Sequence, residues 1–214
     1  AESCPPTTLP RLLAVAAEKK GHQPALSVER PVPQVADGRA PPSLPLAQWT
    51  TWSYRTFLQD VRRVAKGFLA LGMERFDTVN IWGFNSPEWV MAVMAAMFAG
   101  GKVAGIYPTD TPLVAAYKVV HSGGCVAVVE DKVKCQNLSK ALAARGDCLR
   151  LRAFVVWGSE PEPGETVSLP GCGAMWMLGW RPLLELGDES GDAEVDRRVD
   201  ATKPGHCATL VYTS

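Results

Sequence analysis

The stretch TVNIWGFNSPEW, from Thr78 to Trp89, joins a short apolar run to the start of a helix. Thr78 to Gly83 has the composition of a β-strand that ends at a glycine. Asn85-Ser86-Pro87-Glu88 then places a capping residue, a proline for the first turn and an early acid in the order that a helix start prefers. We expect this helix to run to Ala99 and to stop at Gly100-Gly101.

The same rhythm of strand and helix recurs along the chain. Periodicity predicts strands at Trp49 to Tyr54, Val103 to Tyr107, Cys125 to Glu130 and Ala153 to Trp157, and helices at Leu9 to Lys20, Tyr54 to Leu71, Pro112 to His121, Lys132 to Ala144 and Trp180 to Leu186. Short apolar strands that alternate with helices imply parallel strands joined by crossovers. The sequence therefore predicts a doubly wound α/β fold, with a mainly parallel sheet and helices on both faces.

The chain divides by composition into two parts. Residues 1–48 hold a helix and a proline-rich loop, since five prolines fall between Pro31 and Pro45. Residues 49–214 carry the alternating pattern of an α/β domain. Within it, Gly158 to Gly173 and Gly187 to Arg198 are predicted to be surface excursions. We expect the chain to be truncated, because Cys207 to Ser214 is an apolar strand that runs into hydroxyl residues with no turn or helix after it.

Charge and composition narrow the classes of function. Twenty-two basic residues balance 22 acidic ones, so no net field draws the protein to nucleic acid or to an anionic membrane. No apolar run reaches the ~20 residues of a membrane-spanning helix, and the amino terminus lacks the order of a secretory signal. The six cysteines are scattered without metal-ligand spacing, which favours reduced thiols. We expect a cytoplasmic protein that acts on small molecules.

The candidate chemistry lies where the last predicted strand meets Tyr212-Thr213-Ser214. Doubly wound sheets bind ligands beyond the carboxyl ends of their strands. Hydroxyls and backbone N–H groups there can hold phosphate oxygens and share a magnesium ion. By spacing alone, Thr-Ser after a strand is more often a turn or a helix cap. Likewise, His121 is better explained by a helix dipole than by catalysis, and Tyr107-Pro108-Thr109 by a turn than by a substrate channel.

Several blocks resemble the amino-terminal half of bubblegum-type acyl-CoA synthetases, which are adenylate-forming enzymes. IWGFNSPEW, from Ile81 to Trp89, and FAGGKVAGIY, from Phe98 to Tyr107, carry the resemblance. Trp52-Ser53-Tyr54 and Ala65 to Gly72 look like the first strand and first long helix of that family. Leu210 to Ser214, LVYTS, matches the opening of its phosphate-loop signature, which continues Gly-Thr-Thr-Gly-x-Pro-Lys-Gly. By this resemblance, residues 49–214 form a partial AMP-binding domain, cut at the phosphate loop.

The resemblance implies a two-step activation of a long-chain fatty acid. The carboxylate attacks the α-phosphorus of ATP to give an acyl-adenylate and pyrophosphate, and coenzyme A then displaces AMP to form acyl-CoA. ATP, Mg²⁺ and coenzyme A are the implied cofactor and co-substrates. Thr213 and Ser214 would bind the β- and γ-phosphates, and Thr213 is the candidate ligand of the magnesium ion. No catalytic residue of the family is carried over to this chain. Peripheral attachment to the endoplasmic reticulum membrane stays open beside a cytoplasmic location.

Two other interpretations remain. The chain could be a non-catalytic short isoform that acts as an interaction module, rather than a synthetase fragment that is inactive alone. An unrelated nucleotide-binding domain such as a dehydrogenase is disfavoured, because no Gly-x-Gly-x-x-Gly follows an early strand.

Overall fold

The computed structural model describes residues 5–33, 37–146, 150–170 and 173–213. The helices are α1 (Leu9–Lys20), α2 (Tyr54–Ala70), α3 (Pro87–Phe98), α4 (Pro112–Ser122), α5 (Lys132–Arg145), α6 (Trp180–Asp188) and α7 (Ala193–Ala201). The strands are β1 (Pro24–Val28), β2 (Thr50–Ser53), β3 (Thr78–Trp82), β4 (Lys102–Ile106), β5 (Gly124–Val129), β6 (Ala153–Val156), β7 (Thr166–Leu169), β8 (Gly173–Gly179) and β9 (Thr209–Leu210).

The main sheet has the strand order β7-β8-β6-β5-β3-β4-β9. Neighbouring strands are parallel throughout, except that β7 pairs with β8 in the antiparallel sense. Strands β1 and β2 form a separate antiparallel pair. The predicted mainly parallel sheet is confirmed. Because β3, β4 and β9 run in the same direction, their carboxyl ends meet at one edge of the sheet.

The central strand β5 shows why the sheet needs helices on both faces. Val126 and Val128 point into a core shared with α1, α2, α3, α6 and α7. Ala127 and Val129 point into a second core shared with α4 and α5. Side chains alternate across a strand, so an uninterrupted apolar run must be covered on both sides. The helical layers predicted from this run are present, which confirms the doubly wound architecture.

Helix starts follow the local capping signals. The Ser86 hydroxyl accepts a hydrogen bond from the Trp89 N–H at 3.0 Å, and the Ser53 hydroxyl accepts one from the Thr56 N–H at 3.2 Å. Each bond satisfies a backbone N–H that a first helical turn leaves without an internal partner. Predicted helix and strand bounds therefore agree with the structure closely in this region. Over the described ranges, no helix combines the length and the apolar character needed to cross a bilayer.

Both predicted surface excursions need correction. The segment from Gly158 to Gly173 contains β7, which pairs with β8 and extends the main sheet. The second excursion, Gly187 to Arg198, contains most of α7, whose Val195 is fully buried against α2 and α3. Polar and acidic residues dominate both segments, but Leu169 of β7 and Val195 of α7 are buried in the two cores. These contacts join segments that are distant in the sequence, so the local pattern of residues does not predict them.

Two further elements differ from expectation. Strand β1, Pro24–Val28, lies within the segment predicted to hold only a helix and a loop, and it pairs with β2. Within Cys207 to Thr213, the described part of the predicted strand Cys207 to Ser214, only Thr209–Leu210 is a strand, because these two residues form the ladder pairs with β4. The proposed division at residues 48 and 49 remains a prediction.

Candidate functional site

A cavity of about 400 Å³ opens at the carboxyl edge of the sheet, between α3 and the strands β4 and β9. We call it the carboxyl-edge cavity. Its walls are mainly apolar, and the residues that line it are Gly83, Asn85, Trp89, Val93, Met97, Val103, Gly105, Ile106, Tyr107, Pro108, Thr209, Leu210, Val211 and Tyr212. A mainly apolar concavity with a few polar groups at its rim is the usual form of a small-molecule site.

Gly105 keeps part of this cavity open. A Cβ atom placed on Gly105 would meet only the Trp89 ring, at 3.9 Å. The strand therefore approaches α3 at this point without filling the space between them. An alanine would fit without a clash, whereas a longer side chain at this position would occupy the cavity.

The turn after β4 forms one rim of the cavity. The Tyr107 N–H donates to the Asp110 carboxylate at 3.1 Å, and the Asp110 N–H donates back to the Tyr107 carbonyl at 2.9 Å. The Trp82 indole N–H also donates to the Tyr107 carbonyl, at 3.0 Å. These bonds support the interpretation of Tyr107-Pro108-Thr109 as a structural turn. Tyr107 and Pro108 nevertheless line the cavity as well, so the turn also shapes the site.

The last turn of α4 contacts the segment after β9. The Tyr212 hydroxyl lies 2.9 Å from Nδ1 of His121 and 3.4 Å from the Lys118 carbonyl oxygen. Tyr117 stacks on the His121 ring, with centroids 5.3 Å apart. Burial raises the pKa of the Tyr212 phenol, with a smaller contribution from Tyr117. His121 does lie in the last turn of α4, but its hydrogen-bonded partner could not be read from sequence.

Lys118 is a residue that sequence reasoning missed. It is only 6% exposed, although lysine usually reaches solvent. Its ammonium group pairs with Asp110 and lies 5.0 Å from the Tyr107 ring centroid and 5.5 Å from that of Tyr212. A partly desolvated cation gains from such ring faces. Nothing in the helical pattern of α4 marked this lysine, because its partners belong to other segments of the chain.

The two residues predicted to bind phosphate stand differently in the structure. Thr213 is exposed and lies just beyond β9, at the carboxyl edge of the sheet. Ser214 lies outside the described residues, so that part of the prediction has no structural counterpart. Thr213 does not line the carboxyl-edge cavity itself but directly follows Tyr212, which does. Both assignments stay predictions.

The described residues fit a magnesium ion only as part of a nucleotide complex. A threonine hydroxyl is a hard oxygen ligand of the kind that Mg²⁺ accepts, and this ion commonly binds through few protein ligands and several phosphates or waters. Within the described ranges, no group of three or more His, Cys, Asp or Glu side chains gathers to hold a metal ion. Thr213 would therefore share the ion with the phosphate oxygens.

Solved structures with a similar fold are acyl-CoA and related ligases. A long-chain-fatty-acid–CoA ligase from Archaeoglobus fulgidus aligns with a TM-score of 0.60 at 18% identity, over 88% of this chain and 31% of that one. Coronafacic acid ligase from Pectobacterium brasiliense aligns with a TM-score of 0.64 at 12% identity, over 96% and 33%. At these identities the likeness establishes the fold alone.

Sequence relatives are closer. The long-chain-fatty-acid–CoA ligase ACSBG1 of Rattus norvegicus is 37% identical over 167 residues, which is 78% of this chain and 22% of the relative. ACSBG2 of Xenopus laevis is 30% identical over 99% of this chain and 25% of its own length. ACSBG1 of Homo sapiens is 32% identical over 99% and 26%. The chain thus spans about a quarter of the length of these relatives.

A family model described as AMP-binding enzyme matches residues 14–214, nearly the whole chain. The matched relatives are the bubblegum-type ligases that the motifs at Ile81 to Trp89 and Phe98 to Tyr107 predicted. Fold, motifs and relatives agree, and the chain belongs to the AMP-binding enzyme family.

Proposed function

We propose that the protein to which this chain belongs activates long-chain fatty acids. It would join a fatty acid to AMP, with release of pyrophosphate, and then transfer the acyl group to coenzyme A. The observation that carries the proposal is the course of the chain after β9, which runs parallel to β4 and leads into an exposed Thr213 beside the carboxyl-edge cavity. The names of the matched relatives support the same substrate class.

The chemistry places specific demands on this edge of the sheet. A carboxylate must approach the α-phosphorus of a polyanionic nucleotide, so phosphate charge has to be held by fixed donors and by a cation. The Thr213 hydroxyl would donate to a β- or γ-phosphate oxygen or bind the magnesium ion that neutralises it, and Ser214 would continue this contact. Magnesium, when bound, lowers the repulsion between the nucleotide and the incoming carboxylate.

The apolar wall of the carboxyl-edge cavity supports a substrate with a hydrocarbon part. Trp89, Val93 and Met97 of α3 line it together with Val103 of β4 and Leu210 of β9. Transfer of a hydrocarbon chain from water to such a surface is favourable in proportion to the area covered. One end of the site is thus suited to phosphate and the other to an alkyl chain, which matches a fatty acid that reacts with ATP.

The test is palmitate-dependent exchange of pyrophosphate into ATP. We would assay the longest natural product that contains this chain, together with its Thr213→Val, Thr213→Ser and Thr166→Val variants. Loss of the Thr213 hydroxyl should reduce exchange by about 10-fold or more, as for other groups that stabilise charge in a transition state. Thr213→Ser should keep most of the activity, and Thr166→Val, an exposed change in β7 away from the carboxyl-edge cavity, should leave it unchanged.

Two results would decide against the proposal. An absence of palmitate-dependent exchange in the longer product contradicts fatty-acid activation. Full activity in Thr213→Val contradicts the phosphate role of this residue while leaving the reaction intact. We further propose that the 214-residue chain alone shows no exchange, since its relatives perform their function with about four times its length.

A further inference from the structure

We infer that Tyr212, held by His121 and Lys118 of α4, is a positioning residue that sets where Thr213 lies. We call these three residues the α4 anchor. The inference rests on the proposed phosphate role of Thr213 and adds the device that orients it. Two of its residues, His121 and Lys118, lie outside the phosphate-loop signature, on α4, about 90 residues before the loop.

Strand pairing alone leaves the segment after β9 weakly fixed. The ladder between β4 and β9 consists of the pairs Val103 with Thr209 and Ala104 with Leu210. Val211, the next residue, is 74% exposed. Thr213 is therefore three residues past the last ladder pair, and each residue adds two soft backbone torsions. A further contact is needed if the Thr213 hydroxyl is to meet a phosphate in a defined place.

Tyr212 supplies that contact through both its hydroxyl and its ring. The hydroxyl lies 2.9 Å from His121 Nδ1, a normal hydrogen-bond distance. The ring meets His121 edge-on at 5.7 Å and Tyr117 edge-on at 6.4 Å between centroids. Aromatic pairs favour such edge-to-face arrangements. The hydrogen bond and the ring contacts together thus fix the orientation of the Tyr212 side chain, next to Thr213.

Lys118 makes the receiving surface rigid. Its ammonium group is held by Asp110 and lies against the faces of Tyr107 and Tyr212. Because the lysine is buried, this arrangement has little freedom to rearrange. The same lysine links the turn after β4 to the segment after β9, so the two sides of the carboxyl-edge cavity share one support.

A simple packing role for Tyr212 is the competing explanation, and Tyr212→Phe separates the two. Phenylalanine keeps the ring and its contacts but removes the hydroxyl that meets His121. The pair His121→Ala and His121→Asn extends the comparison, since the asparagine side chain places a hydrogen-bonding atom close to the position of Nδ1. His22→Ala is the control, because His22 is exposed and lies in the turn between α1 and β1.

The first measurement is backbone order at Thr213, from the heteronuclear ¹⁵N NOE of the 214-residue chain. Tyr212→Phe and His121→Ala should lower the NOE of the Thr213 amide and leave that of Leu210 unchanged, whereas His121→Asn and His22→Ala should resemble wild type. A role in packing alone predicts no change in Tyr212→Phe. An unchanged Thr213 amide in both Tyr212→Phe and His121→Ala overturns the inference.

The second measurement is binding of MgATP to the longest natural product that contains this chain, by isothermal titration calorimetry, because this chain holds only the opening of the phosphate-loop signature. Loss of one hydrogen bond that orients the site should weaken MgATP binding by about threefold to tenfold, with recovery in His121→Asn. Binding that is equal in wild type, Tyr212→Phe and His121→Ala overturns the inference while keeping the phosphate site. If wild type shows no response to MgATP, the proposed phosphate role fails, and the NOE comparison still decides whether the anchor exists.

Discussion

Gly187 of α6 lies directly against the backbone of Arg63 in α2. A Cβ atom placed on Gly187 would be 2.1 Å from the Arg63 carbonyl oxygen and 2.8 Å from its carbonyl carbon. The contact is reciprocal, because a Cβ atom on Gly67 of α2 would be 2.7 Å from both the carbonyl oxygen and a methyl carbon of Leu183. Two glycines, one on each helix, thus let α2 and α6 approach closely.

Gly187→Ala should destabilise the fold by about 1–3 kcal/mol, since the new methyl group meets rigid backbone and the helices must separate. Urea unfolding followed by circular dichroism measures the change. Gly191→Ala is the matched control, because nothing lies within 4 Å of a Cβ atom at that position. Equal stability of the two variants would show that α6 can shift away from α2 at no cost.

Thr78→Val tests the buried polar contact between β3 and α4. The Thr78 hydroxyl is fully buried and donates to the Ser122 carbonyl at 2.6 Å. Valine has the same shape, but it leaves that buried carbonyl without its donor, which should cost about 1–3 kcal/mol in unfolding free energy. Thr166→Val, on the exposed side of β7, should change stability little. A similarly small effect at Thr78 would indicate that another donor replaces the hydroxyl.

The buried thiols predict a loss of stability at high pH. Burial raises the pKa of Cys125 and of Cys135 to about 12, from an ordinary value of 9.0. The folded state thus retains protons that the unfolded state releases, so this contribution is complete below pH 9 and is lost as pH rises towards 12. Each thiol should contribute a slope of about 1.4 kcal/mol per pH unit across that window.

Unfolding measured from about pH 8, just below the window, to about pH 11, within it, tests this slope. Cys125→Ala and Cys135→Ala should each flatten the decline of the unfolding free energy, whatever they do to stability at pH 7. Cys207→Ala should not, because the Cys207 thiol is exposed. An identical slope in all three variants would show that the buried thiols do not govern the alkaline transition.

The ion pair between α2 and α6 predicts a weaker dependence in acid. The Arg63 guanidinium donates from Nε to the Asp188 carboxylate at 2.7 Å and holds the pKa of that carboxyl below its ordinary value of 3.8. The contribution is therefore present above pH 3.8 and is lost as pH falls through the lowered pKa. Since Asp188 is half exposed, solvent screening limits it to less than about 1 kcal/mol.

Asp188→Asn should lower the unfolding free energy slightly at pH 7, and the difference from wild type should shrink in acid and in high salt. Glu189→Gln removes the same charge from the neighbouring exposed residue and serves as the control. If both variants respond alike to acid and salt, net charge rather than the pair with Arg63 explains the effect.

Sequence reasoning succeeded where the cause is local. The caps at Ser53 and Ser86 depend on residues within one helical turn. The burial of β5 on both faces follows from its uninterrupted apolar run. Contacts between distant segments escaped prediction. Strand β7 is defined by its pairing with β8 and by the burial of Leu169, and α7 by its buried Val195 and the ion pair of Asp196 with Arg62. Hydrophobic periodicity carries no information about which distant partner will complete such an element.

The same division applies to the candidate site. Motif resemblance singled out Thr213 for a phosphate role that stays a prediction, because the residues that carry the motif are contiguous along the chain. The partners of Tyr212 were not found, since His121 and Lys118 lie on a helix whose own pattern is explained by ordinary amphipathic packing. A contact between two distant elements is not visible in the sequence pattern of either one.

The position of β9 beside β4 has a consequence for the order of events on the ribosome. Val103 and Thr209 pair although about a hundred residues separate them. At a translation rate of ~5–20 residues per second, β4 is synthesised several seconds before β9. During that interval one flank of β4 is uncovered, and the carboxyl-edge cavity lacks the wall that β9 forms. Nascent chains should therefore acquire the central layers of this sheet before the rim that β9 completes, which leaves that rim open to chaperones for longer during synthesis.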